Sequence, residues 1–98
     1  MTIDELLEKS KEIWGDEGHD LSDVIVRLGK VFGDICRWER NADKDCVTHT
    51  DLELQKELGN VIFSTIKFCY ELGYDPNECI EIAIESQRKG AAELKQRS

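Results

Sequence analysis

Ninety-eight residues, 40% of them hydrophobic and 35% charged, suffice for one small domain over residues 1–98 and leave no room for a second. Thirteen Lys and Arg against twenty-one Asp and Glu give a net charge of −8, which opposes broad contact with a phosphate backbone and removes generic nucleic-acid binding from the expected functions. No apolar run approaches the ~20 residues that cross a bilayer, so no membrane insertion is expected.

The charge is uneven. Residues 1–23 hold eight acids and two bases, and residues 86–98 hold one acid and four bases. The four cysteines, Cys36, Cys46, Cys69 and Cys79, form no Cys-x-x-Cys pair, and Met1-Thr2-Ile3-Asp4-Glu5 lacks the features of a signal peptide; a reducing cytoplasm is the expected compartment. Packed at ordinary density, such a chain has a radius of gyration of about 13 Å.

The first helix is predicted from about Thr2 to Trp14, opened by the capping-box spacing Thr2-x-x-Glu5 and closed near Gly15, with Ile3, Leu6, Leu7, Ile13 and Trp14 as its apolar face. A Gly- and acid-rich loop, in which His19 reads as a surface residue, leads to a second helix from about Leu21 to Arg40 with Asp20 or Ser22 as cap. Leu21, Val24, Ile25, Leu28, Val31, Phe32 and Ile35 give it one continuous stripe.

After a polar, aperiodic stretch from Asn41 to His49, the spacing Thr50-x-x-Glu53 opens a third helix. Its stripe is Leu54, Leu58, Val61, Ile62, Thr65, Ile66, Cys69 and Leu72, and it ends at Gly73. Asp75 as cap, Pro76 in the first helical position and Glu78 in the third start a fourth helix, expected to reach about Lys89. The turn at residues 72–76 folds the last two helices back on each other, so the fold class is an all-α four-helix bundle.

With Leu28 and Leu58 taken as core centres, Arg27, Lys30 and Asp34 fall on one flank of the second helix and Glu53, Glu57, Asn60 and Ser64 on the matching flank of the third. Two readings of these rows stand: a shared groove, or the solvated sides of two amphipathic helices.

The stretch Lys56-Glu57-Leu58-Gly59-Asn60-Val61-Ile62-Phe63, followed by Glu71-Leu72-Gly73-Tyr74-Asp75-Pro76-Asn77-Glu78, resembles the second half of a MazG-like domain, and Val26-Arg27-Leu28-Gly29-Lys30-Val31 aligns with that family's first motif. The resemblance covers about residues 20–90. It implies an all-α nucleoside triphosphate pyrophosphohydrolase architecture, cutting a triphosphate to monophosphate and pyrophosphate, with Mg²⁺ as cofactor and dimers or tetramers as assemblies. Hard oxygen ligands suit that ion.

The match departs at the ligands. Val26, Arg27 and Lys30 stand at three glutamate positions and Asn60 at an aspartate, so Glu57 is the one retained ligand, with Glu53 and Asn60 as weak candidates beside it. Guanidinium and ammonium groups have no lone pair for a metal. The chain is therefore expected to have lost or altered its Mg²⁺-dependent activity, with Arg27 and Lys30 neutralising Asp34, Glu53 and Glu57 in a salt-bridged groove; the alternative leaves both cations in solvent. An enzyme reading needs Glu53, Glu57, Asp34 and Glu85 in a rearranged site.

Arg27, Lys30, Arg88 and Lys89 are the candidates for holding a triphosphate without metal, against the commoner reading of the last two as a basic final turn complementing the helix dipole. Cys46-x-x-His49 has no second ligand pair, so no zinc is expected. Val26, Trp38 and Phe68 lie beside the main stripes and point to subunit contact, hence a homo-oligomer. The competing function is a non-catalytic module that binds a nucleotide or a protein.

Overall fold

The computed structural model describes residues 1–16, 18–41 and 49–97, and it is all-α with no strand among them. Four helices follow in order: α1 (Ile3–Trp14), α2 (Leu21–Arg40), α3 (Asp51–Glu71) and α4 (Pro76–Arg97). None of these helices is long and apolar enough to cross a membrane.

Capping chemistry sets the starts. The Thr2 hydroxyl accepts from the Glu5 N–H at 3.1 Å and the Glu5 carboxylate accepts from the Thr2 N–H at 3.3 Å, which completes a capping box. Asp20 accepts from the Asp23 N–H at 2.9 Å, and Thr50 from the Glu53 N–H at 3.2 Å. At α4 the Asp75 carboxylate reaches the Asn77 N–H at 2.9 Å, one position earlier than the Glu78 expected for a full box.

The end of α3 is a Schellman motif. Tyr74 N–H donates to the Cys69 carbonyl at 3.0 Å and Gly73 N–H to the Tyr70 carbonyl at 2.9 Å, with Gly73 at φ 87, a conformation that costs a side-chain-bearing residue energy. The α4 helix runs well past Lys89, because Ala91, Ala92, Glu93, Leu94 and Lys95 are strong helix formers and no proline follows to stop it.

The third helix is the shared partner, packing most extensively on α2 and more lightly on α1 and α4. Two end contacts fix α2 and α3 as antiparallel. Trp38 Nε1 donates to the Thr50 carbonyl at 3.0 Å at one end, and His19 meets Glu71 at 2.7 Å at the other. Between them Val24 and Phe68 are buried, with Leu28, Val31, Ile35 and Val61 half-buried around them, and Pro76 is buried at the start of α4.

This core is smaller than the sequence stripes, and it is rotated from them. At roughly 100° per residue the side of α2 facing α3 is centred on Val24, Val31 and Ile35, which leaves Ile25 and Phe32 61% and 62% exposed. On α3 the expected centre Leu58 is exposed, as is Ile62, while Phe68 faces inward. The stripes are wider than the arc that one antiparallel neighbour can cover, and no further helix covers the remainder.

Phe68 therefore belongs to the core and Trp38 is half-buried against His49, with ring centroids 3.8 Å apart. Of the three side chains expected to be surplus, Val26 is the one left open. In α1, Ile3, Leu6 and Leu7 are half-buried, whereas Ile13 and Trp14 are exposed and Ser10 takes the buried place. The radius of gyration is 16.4 Å, well above the ~13 Å of a compact chain of this length, since α4 leaves the bundle with most of its surface uncovered.

Candidate functional site

The α2–α3 pair has two sides. One carries the charged rows, and their ion pairs among the described residues run along each helix instead of across the groove. Asp34 is held by Lys30 at 3.7 Å and Arg37 at 2.8 Å. Glu53 and Glu57 are both held by Lys56, at 2.7 and 3.4 Å. These two carboxylates push the Lys56 ammonium above its ordinary range, chiefly through the hydrogen bond that Lys56 donates to Glu53.

Lys56 thus takes the place that the sequence reading gives to Arg27 and Lys30, since a cation one turn from Glu53 and next to Glu57 in the sequence needs no interhelical reach. Arg27 is exposed and makes no ion pair among the described residues, and Lys30 reaches Asp34 alone of the groove acids. Asn60 is exposed and Val26 points away from α3. Arg88 pairs with Glu85 at 3.5 Å, and both α4 bases, Arg88 and Lys89, are exposed on a helix that packs against α3.

A divalent ion fits this arrangement poorly. Glu57 does keep one carboxylate oxygen, Oε2, buried without a hydrogen-bond partner, the kind of atom that a cation could satisfy. Its other oxygen faces an ammonium, however, and among the described residues no three His, Cys, Asp or Glu side chains group closely enough to hold a metal. Cys46 lies outside the described residues; its expected companion His49 stacks on Trp38.

A second polar cluster lies where α1, the α1–α2 loop and the end of α3 meet. His19 Nδ1 is 2.7 Å from Glu71 Oε2, and the two side chains are only 10% and 9% exposed. Lys67 Nζ stands 3.8 Å from the other Glu71 oxygen, over the rings of Trp14 and Phe68 at 5.1 and 5.2 Å. A cleft of about 410 Å³ beside it is lined by Ser10, Lys11, Gly18, Tyr70 and others.

Sequence reasoning placed His19 on the surface because its neighbours are acidic and glycine-rich. Its 52-residue separation from Glu71 left no local signal. The arrangement ties the entry of α2 to the exit of α3, and its polar groups satisfy one another.

The opposite side of the α2–α3 pair is apolar and open. Ile25, Val26 and Phe32 of α2 and Leu52, Leu58 and Ile62 of α3 are all exposed. Helical phase sets both groups on the same side, because each follows its helix's contact face in the same rotational sense and the two helices run antiparallel.

No family model, no curated protein and no solved structure matches the chain.

Proposed function

We propose that the chain is a non-catalytic helical binding module, and that its working surface is the open apolar side of α2 and α3, which takes a protein partner. The observation that carries this reading is the exposure of Ile25, Val26, Phe32, Leu52 and Ile62, each at least 60% accessible, along one side of the best-packed helix pair. A contiguous apolar face of this kind marks an interaction site. The charged side, by contrast, closes its own ion pairs.

The MazG-like reading supplies the competing function, a Mg²⁺-dependent nucleoside triphosphate pyrophosphohydrolase. That chemistry calls for oxygen ligands around Glu57, and here Glu53 and Glu57 both answer to Lys56. In the module reading Arg27, Lys30, Arg88 and Lys89 are the residues available to a triphosphate, with Arg27 already free of acid partners among the described residues.

Titration calorimetry with a panel of nucleoside triphosphates, with and without Mg²⁺, together with a pyrophosphate-release assay, separates the two. The module yields no steady pyrophosphate, and any nucleotide binding is indifferent to the metal. Metal-dependent pyrophosphate release that disappears in Glu57→Gln refutes it. The combined change Val26→Glu, Arg27→Glu, Lys30→Glu and Asn60→Asp tests the alignment: a gain in Mg²⁺ affinity supports it, and none counts against it.

A further inference from the structure

We propose that the partner on the open side of α2 and α3 is the same side of a second copy of this chain, in a two-fold contact that completes the core. The inference rests on reading that side as a binding surface.

Area is the first argument. A compact chain of 11.2 kDa exposes about 5,700 Å², whereas this one exposes 7830 Å², an excess of about 2,100 Å². An obligate homodimer hides roughly 1,000 Å² or more per chain. Part of that excess belongs to α4, which is exposed along most of its length, and part to the open side of α2 and α3. With Val24, Phe68 and Pro76 the only apolar residues buried among those described, the monomer is short of core, so its cover must be present whenever the chain is folded. A second copy meets that condition by construction.

Charge is the second. Two chains of net charge −8 repel unless they meet on a surface without charge. Along α2 from Leu21 to Cys36 an arc of roughly 140°, running through Leu21, Phe32, Ile25, Gly29, Gly33 and Val26, carries none, and charge enters it only in the last turn, at Glu39 and Arg40. The α2 charges at Asp23, Arg27, Lys30, Asp34 and Arg37 all lie outside it.

The helix interior supplies the third. Gly29 and Gly33 occupy consecutive turns in the middle of that arc, and a methyl group at either would meet nothing within 4 Å. Glycine weakens a helix relative to alanine. Nothing inside the chain repays that cost, whereas close approach of a second backbone does. In the two-fold contact α2 of one copy crosses α2 of the other at these glycines, and Phe32 and Ile25 fill the space to either side against Leu58 and Ile62.

The test is a sign test on the full chain. Sedimentation equilibrium should return twice 11.2 kDa, and Tm should rise with protein concentration. Gly33→Ala improves helix propensity and so cannot fail for want of helix. If a second backbone lies against that position, Gly33→Ala lowers Tm and raises the dimer dissociation constant by about tenfold or more.

A folded monomer in which Gly33→Ala raises Tm at every concentration overturns the proposal, as does a dimer that neither Gly33→Ala nor Ile25→Glu weakens. In the monomer case, an apolar fluorescent dye whose binding Ile62→Glu abolishes leaves the binding-surface reading standing. A monomer that binds no dye ends both.

Discussion

The two sides of the α2–α3 pair are built from the same two helices and end in opposite conditions. On the charged side Lys30, Arg37 and Lys56 pair with Asp34, Glu53 and one oxygen of Glu57, each within its own helix. On the apolar side Ile25, Phe32 and Ile62 have nothing to close against. An ion pair can be satisfied by a residue one turn away. A hydrophobic side chain on a convex helix surface cannot be, because its neighbours along the helix cover only part of it; burial needs another element.

The contrast can be tested by how much each side loses. Phe68→Ala removes the largest buried ring at the seam between the sides and should cost about 3–5 kcal/mol, read by denaturant unfolding. A loss under ~1 kcal/mol places the core elsewhere. Glu71→Ala takes the acceptor from both His19 and Lys67 and should cost about 2 kcal/mol. His19→Ala in the same background should then add little, since the two groups act as one unit.

The charged side should prove far more tolerant. Asp34→Asn removes an acceptor for two exposed cations on its own helix, and about 0.5 kcal/mol is expected, shrinking in high salt. A cost several times larger, insensitive to salt, breaks the comparison, since it means that Asp34 serves contacts beyond its helix.

The smallest effect is that of pH on Lys56. Its folded pKa is raised above 10.5 by Glu53 and Glu57, so its contribution is fully present below about that value and is lost as the pH climbs through the raised one. Stability in the wild type should fall in that alkaline window, and the part of the fall that Lys56→Met removes measures the contribution.

Most of the secondary structure was legible in the residues. Thr2, Asp20, Thr50 and Asp75 cap helices where short-range hydrogen bonding dictates, and Gly73 ends α3 because only a residue tolerant of positive φ closes that turn cheaply. These are interactions between residues fewer than six apart, so the chain reads them locally. The length of α4 was the local feature misjudged, since Gly90 weakens a helix without ending it.

The candidate site was less legible, for a reason of geometry. Periodicity shows that Ile25, Phe32, Leu58 and Ile62 are apolar and share their helices' stripes, but it does not say which part of a stripe a neighbour will cover. That depends on the rotation each helix adopts when Val24 and Phe68 are brought together. The same rotation leaves Val26 facing away, whereas Lys56 meets Glu57 as its neighbour in the sequence. His19 shows the point most sharply, because a histidine in an acidic loop meets Glu71 only after two helices have packed. Sequence wrote the helices and their polarity; packing chose the partners, because contact between distant residues is fixed by how whole surfaces fit.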